Sequence, residues 1–294
     1  MKKRKITASD LILNSDGTIF HLHLLPEHLS DIVILVGDPG RVETVAANFE
    51  TREVSIQNRE FQTVTGLYNG VRMTVISTGI GTDNIDIVLT ELDALANIDF
   101  STREVKDEFR QLTLLRLGSS GALQEDIKIG DFVFARYSVG FDGLLNFYKG
   151  RDQVSELDME KEFTKFVGWD EKLAAPYFVE SSPQIWELFK DSVTEGVTIS
   201  APGFYAPQGR WLRLEPADIL LNQKIEIFRY NTLRITNFEM ESSALAGLSK
   251  LMGHRAATLC AIIAQRVAQD ANTEYKDFMQ DMIKISLDKL SKIK

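Results

Sequence analysis

Two stretches combine small residues with arginine in a way that suits an anion, Gly37-Asp-Pro-Gly-Arg41 and Arg116-Leu-Gly-Ser-Ser-Gly121, and Arg59-Glu60 leading into Phe61 sets a third arginine at the entry to a strand. Glycines let backbone N–H groups come close to a phosphate, and a guanidinium fork matches its oxygens. In α/β proteins ligands gather where loops meet at the carboxyl ends of strands. Taken singly, each stretch reads as readily as a turn or a surface ion pair. The chain carries 33 Lys+Arg against 42 Asp+Glu, a formal net charge of −9. Three arginine-bearing junctions in so acidic a chain mark a local cluster of positive charge.

Phe204-Tyr-Ala-Pro-Gln208-Gly-Arg210 places a ring, an amide and a guanidinium within seven residues. The ring can stack on a planar base, and Gln208 and Arg210 can read its carbonyl and N–H edge. Glu239-Met240-Glu241 stands at a strand-to-helix junction, where a carboxylate can accept two hydrogen bonds from a vicinal diol; an acid there also suits a helix dipole. His21-Leu-His23 reads as two imidazoles on one face of an extended segment, with no third metal ligand in view.

Other chemistries are excluded by what is missing. There is no GxxxxGK[ST], no third glycine after Gly79-Ile-Gly81, and no GxSxG. The lone Cys260 has no partner for an intrachain disulfide. The acidic balance argues against nucleic acid as a partner. Met1-Lys2-Lys3-Arg4-Lys5 leads into a segment too polar for a signal peptide, and no run of 18 apolar residues suggests a membrane span. A cytoplasmic location is the expectation.

The elements that must position these residues follow a repeated grammar. Ile32–Val36 is a short apolar run stopped by Gly37-Asp38-Pro39-Gly40, with helical periodicity over Arg41–Phe49. Val71–Ser77, Gly79-Ile80-Gly81 and the amphipathic stretch Ile85–Ala96 repeat it, and Thr113–Leu117 runs into a loop at Gly118–Gly121. Asp131–Tyr137, Val197–Ser200, Leu233–Phe238 and Arg255–Ala264 read as strands. Pro183–Glu195, the stretch from Glu241 to Met252, and Tyr275–Ile293 read as helices. The fold class is therefore α/β, a single domain over 1–294 with a central mixed sheet flanked by helices. Charged Ser101–Gln111 and aromatic-rich Asn146–Tyr177 interrupt the pattern and read as surface insertions.

Taken in order, these motifs resemble the nucleoside phosphorylase family, in its uridine phosphorylase branch, from about Phe20 to Gln269. The resemblance rests on Phe20-His21-Leu, Val36-Gly-Asp-Pro-Gly-Arg-Val42, Arg59-Glu-Phe61, Ser77-Thr-Gly-Ile-Gly81, Arg116–Ala122, Phe204-Tyr-x-x-Gln208-x-Arg210, Asn237–Ser242 and Gln265-Arg266. It implies phosphate-dependent cleavage of uridine to uracil and ribose 1-phosphate. Phosphate would be held by Gly37, Arg41, Arg116 and Ser119, with Arg59 reaching in from a neighbouring subunit. Ribose would be held by Met240 and Glu241, and its 5′-hydroxyl by the neighbour's counterpart of His21. The base would stack near Phe204 and be read by Gln208 and Arg210, with Arg266 nearby. Catalysis would rest on Arg116, Gln208, Arg210 and Glu241, in a homodimer or a hexamer of shared sites.

Purine enzymes of this family carry an Asp in the late loop, where this chain has Ala264-Gln265-Arg266-Val267. With the Gln208…Arg210 pair, that favours a pyrimidine. A purine-directed phosphorylase, a hydrolytic nucleosidase of the same fold, or a non-catalytic nucleoside-binding protein are the other readings. Inorganic phosphate is a co-substrate and no cofactor is implied. Family members that hold K+ at the dimer interface use a Glu, an Ile carbonyl and a Ser; here Glu60 and Ile80 match and Asn84 stands third.

Overall fold

A computed structural model describes residues 5–265, 270–271 and 275–293. The first half of the chain forms β1 (Ile32–Val36), α1 (Pro39–Ala46), β2 (Thr51–Asn58), β3 (Phe61–Tyr68), β4 (Val71–Ser77) and α2 (Thr82–Asn97). Then come β5 (Ile98–Asp99), β6 (Glu104–Val105), β7 (Thr113–Ala122), β8 (Phe132–Gly140), α3 (Arg151–Val154) and α4 (Leu157–Val167). The remainder forms β9 (Tyr177–Glu180), α5 (Pro183–Phe189), β10 (Thr194–Ser200), α6 (Leu221–Ile227), β11 (Arg229–Tyr230) and β12 (Leu233–Glu239). It ends with α7 (Ser242–Met252), β13 (Arg255–Gln265), β14 (Asp270–Ala271) and α8 (Lys276–Leu290).

β1 shows why the layers form. All five of its residues are buried, and it lies parallel to β4 on one side and β7 on the other. Val33 and Leu35 enter a core shared with α2 and α7, while Ile32, Ile34 and Val36 enter one shared with α1, α5 and α8. A strand that is apolar at every position needs cover on both faces, and its two-residue alternation assigns each helix a face. The sheet is mixed, in the order β11-β12-β10-β8-β13-β7-β1-β4-β3-β2, with β14 beside β13 and β9 beside β8. The fold is thus α/β, with a central mixed sheet between helical layers.

β7 corrects the expectation of a loop after Leu117. Gly118-Ser119-Ser120-Gly121 continues the strand, flanked by β13 on one side. On the other, Gly121 pairs with Phe238 and Ala122 with Asn237 of β12. Five strands, β12-β10-β8-β13-β7, therefore close on themselves. That closure brings Ser119 and Ser120 beside the Glu239–Glu241 junction. The register of β13 on β7 shifts between Ile262 and Ala264, a bulge of the kind that re-aims side chains near functional sites.

Other expectations also shift. The helix beginning at Pro183 stops at Phe189, and the strand that follows starts at Thr194. The 146–177 segment is more than a surface insertion: Met159, Phe163 and Val167 of α4 are buried in a cluster with Phe178, Phe228 and Phe238. Within 101–111, β6 pairs with β5. His21 and His23 do not share an extended face, because the backbone turns between them and His23 has φ +56. His23 Nε2 lies 3.1 Å from Asp16 and His21 Nδ1 2.6 Å from Glu91, so the two rings serve different carboxylates. No described helix is long and apolar enough to cross a membrane.

Candidate active site

A cavity of about 870 Å³ opens where the segments after β1 and β4 meet the ends of β7, β12 and β13. It is lined by Gly37, Arg41, Arg116, Ser119, Phe204, Gln208, Arg210, Met240 and Glu241, so nine of the residues singled out from sequence converge. His21 and Arg59 do not line it, and Arg266 lies outside the described residues.

One end of the cavity gathers two arginines, Arg41 and Arg116. Arg41, in the first turn of α1, donates from Nη1 to the Leu117 carbonyl at 3.4 Å, which turns its guanidinium toward β7. Arg116 extends from within β7 and is 5% exposed. Burial, and then the nearby charge of Arg116, hold Arg41 below the usual arginine pKa. Burial also works against the charge of Arg116, but Glu241 and Glu239 outweigh it and hold that group up. Arg116 Nε and Nη1 are buried without a hydrogen bond among the described residues, Nη1 having only the ion pair with Glu239. Buried donors of a charged group are costly to leave unmade, so they fit an oxyanion that completes them.

The guanidinium reaches this place because residue 118 is glycine. A Cβ there would lie 2.2 Å from Arg116 Nη1. The Arg116 side chain folds back over its own strand through the space that glycine leaves open.

Two carboxylates face the arginine. Glu241 Oε2 accepts from Arg116 Nη2, and Glu241 Oε1 accepts from the Gly81 N–H at 2.8 Å. Gly81 has φ +100, a conformation that favours glycine, which lets its N–H turn toward Glu241. Burial pushes the Glu241 carboxyl up to about 7, against the opposing pull of Arg116. Glu239 Oε2 is 3.3 Å from Arg116 Nη1. Glu239 also accepts from the backbone N–H groups of Glu241 and Ser242 at 2.9 Å and from the Ser200 hydroxyl at 2.6 Å. It ties the start of α7 to β10 and so sets the path of Met240 and Glu241.

The other end of the cavity holds the aromatic and amide groups. The Arg210 guanidinium lies 4.0 Å from the Phe204 ring centroid, in cation–π contact, so one face of that ring is occupied. Arg210 Nη1 donates to the Phe204 carbonyl at 3.0 Å and to Gln208 Oε1. With its oxygen engaged by a donor-only group, Gln208 has its amide hydrogens left to offer a ligand. Asn222 Nδ2 donates to the Gln208 carbonyl at 2.9 Å, holding the loop.

His21 and Arg59 sit together elsewhere on the molecule. Asn58 Nδ2 donates to the His21 carbonyl at 2.7 Å, and the Arg59 guanidinium lies 5.6 Å from the Phe20 ring centroid. Arg59 is exposed, with φ +54. Such backbone strain on a non-glycine residue is the kind stored at functional positions. Glu60 and Asn84 both approach Gly79, next to Ile80. Among the described residues no cluster of three His, Cys, Asp or Glu is placed to hold a metal ion.

Sequence reading missed three contributors. Glu239 was visible only as part of the Glu-Met-Glu run. Gly118 looked like a loop residue. Tyr275, which opens α8 and lines the cavity beside Arg41, follows no motif that would have marked it.

Residues 31–293 match the phosphorylase superfamily. A uridine phosphorylase from Thermococcus kodakarensis is 30% identical over 273 residues, 90% of this chain and 84% of that protein. A guanosine phosphorylase from Halorubrum lacusprofundi is 27% identical over 276 residues, 90% of this chain and 95% of that one. The crystal structure of a Trypanosoma brucei nucleoside phosphorylase, one that shows uridine phosphorylase activity, superposes with a TM-score of 0.83. It is 26% identical and covers 97% of this chain and all of its own.

Proposed function

The chain belongs to the phosphorylase superfamily, and from that premise we propose that it is a pentosyltransferase acting on a pyrimidine nucleoside: uridine and phosphate give uracil and ribose 1-phosphate. The observation that carries this reading is the convergence of Arg41, Arg116 and Glu241 with Gln208 and Arg210 in one cavity.

Breaking an N-glycosidic bond develops positive charge on the sugar and negative charge on the departing base. An enzyme gains by setting an anion against the first and donors against the second. Phosphate held by Gly37, Arg41, Arg116 and Ser119 is the nucleophile and attacks C1′. Its oxygen forms the new bond as the bond to the base nitrogen breaks, and the electron pair leaves with the base. Gln208 and Arg210 donate to the uracil carbonyl oxygens as they gain charge. Met240 and Glu241 hold the ribose hydroxyls, which turns an encounter into an orientation.

His21 and Arg59, braced together outside this chain's cavity, complete the site of a neighbouring subunit, in a homodimer or a hexamer built of such dimers. The K+ site implied by the resemblance would draw on the oxygens of Glu60, Asn84 and the Ile80 carbonyl, a donor set of the kind K+ takes. Comparing turnover in K+ with turnover in a large organic cation tests that site.

The test of the function is base release from a nucleoside panel with and without phosphate. Uracil from uridine, dependent on phosphate, supports the reading. Release without phosphate points to a hydrolase, a preference for guanosine or inosine to a purine enzyme, and binding without turnover to a non-catalytic protein. The guanosine phosphorylase relative makes the purine arm informative.

A further inference from the structure

Glu91, on α2, touches nothing in the cavity, yet both its carboxylate oxygens are spent on one short segment. Oε1 lies 2.6 Å from His21 Nδ1 and 3.1 Å from the His21 backbone N. Oε2 accepts from the backbone N–H groups of His21 at 3.1 Å and Leu22 at 2.9 Å. The Glu91 side chain is 12% exposed, and that of His21 27%. A carboxylate can only accept, so the hydrogen between the two side chains belongs to Nδ1. Asn58 holds the His21 carbonyl from the other side. The ring is thus fixed in position and in tautomer, with Nε2 as its free nitrogen.

We propose that Glu91 is a positioning residue for recognition of the nucleoside's 5′-hydroxyl: by holding the proton on His21 Nδ1 and orienting the ring, it presents Nε2 to that hydroxyl in the neighbouring subunit's site. This rests on the reading that His21 completes a neighbour's site. With Nδ1–H committed to Glu91, Nε2 is the ring atom that forms a hydrogen bond with the 5′-hydroxyl. A 5′-deoxynucleoside has no hydroxyl to bond, so preference for the hydroxyl depends on Glu91 even though Glu91 never meets the substrate. Outer groups that fix a histidine's tautomer act in this way on metal-bound histidines as well.

The experiment compares kcat/KM for uridine and 5′-deoxyuridine in the wild type, Glu91→Gln and His21→Ala. A glutamine has one acceptor oxygen for N–H groups that now use two, so either the ring or the backbone loses its partner. Wild type is expected to favour uridine by about tenfold or more, the worth of one well-placed hydrogen bond. In Glu91→Gln that ratio collapses toward one, while KM for phosphate stays at the wild-type value. A uniform fall for both substrates with the ratio retained marks Glu91 as merely structural and overturns the proposal. If His21→Ala itself keeps the ratio, the underlying assignment of His21 fails instead, which separates the two ideas. Should Glu91→Gln not fold, ring-15N-labelled wild-type protein still decides: His21, identified as the signal missing from His21→Ala, must show the Nδ1–H tautomer. The Nε2–H tautomer overturns the proposal.

Discussion

Arg116 and Glu241 bind each other through Nη2 and Oε2, with side chains only 6% and 5% exposed. The pair lies where the proposed phosphate and ribose would meet, and each member has a second commitment: Arg116 to Glu239, Glu241 to the Gly81 N–H. On the proposed reading the arginine does two jobs, completing an anion site and neutralising two buried carboxylates. Removing it disturbs both.

Arg116→Ala is accordingly expected to lose turnover by about a hundredfold or more, as when an oriented donor to a reacting oxyanion is deleted. It should also lose about 3–5 kcal/mol of stability, because Glu239 and Glu241 are left buried without their partner. Arg116→Lys keeps the charge without the fork and should recover much of the stability and little of the turnover. Steady-state kinetics over a phosphate series and denaturant unfolding of the two variants check this.

Gly118→Ala tests the same cradle without touching any charge. The added methyl meets Arg116 Nη1 at 2.2 Å, and the far end of an arginine can swing away at little cost to the fold. The expected outcome is a phosphate KM raised about tenfold, the loss of one charge-assisted hydrogen bond, with a smaller change in the nucleoside KM. Equal rises in both would show that the methyl disturbs the whole strand and not the guanidinium.

The cradle was legible in part, and the reason is local. Arg41 follows an apolar run and a Gly-Asp-Pro-Gly turn, so a strand, a loop and a helix start could be read within ten residues. Arg116 was found for the same reason, but its surroundings were not. Gly-Ser-Ser-Gly carries the turn residues that normally end a strand, and what keeps it extended is pairing with Phe238 and Asn237, more than a hundred residues away. Glu239 was hidden by sequence separation too, since its partners on β7 and β10 are invisible to local patterning. The aromatic segment 146–177 looked like a surface insertion because its helix is amphipathic and its buried face meets residues far along the chain.

Glu241 predicts a pH dependence whose sign follows from its raised pKa. An exposed Glu in the unfolded chain titrates near 4.5, and burial pushes the folded group up to about 7. Between those values the folded state holds a proton that the unfolded state has released, so this group's contribution is full below pH 4.5 and lost as pH rises through 7. Glu241→Gln cannot titrate. The stability of wild type minus that of Glu241→Gln should therefore fall as pH rises from 4.5 to 7 and level off above. Urea unfolding of both proteins across that range reads it directly, and a flat difference would sink the idea.

Gln208 and Arg210 should separate base recognition from phosphate binding. Gln208 is 3% exposed and locked by Arg210 and Asn222, so its amide hydrogens have a defined direction. A site built to hydrogen-bond its ligand rejects analogues that cannot reciprocate. Gln208→Ala is expected to lower kcat/KM for uridine by about 10- to 100-fold, consistent with the loss of a buried hydrogen bond to the base and of one acceptor that orients Arg210. It should narrow the preference over guanosine and leave the phosphate KM unchanged. Competition assays with the two nucleosides supply the comparison.

The last prediction concerns which chain supplies Arg59. In this chain Arg59 is exposed and absent from the lining of its own cavity. If it serves a neighbour, Arg59→Ala and Arg116→Ala fall together in one site of a hybrid dimer and spare the other. The Arg59→Ala chain still provides an intact Arg116, and its partner provides an intact Arg59, so one of the two sites has both. The other has neither. Random pairing of equal amounts makes half the dimers hybrid, each with one working site, so co-assembled protein should regain about a quarter of wild-type activity. Arg59 acting within its own chain would give no gain over the two variants assayed separately, because each hybrid site would still lack one arginine.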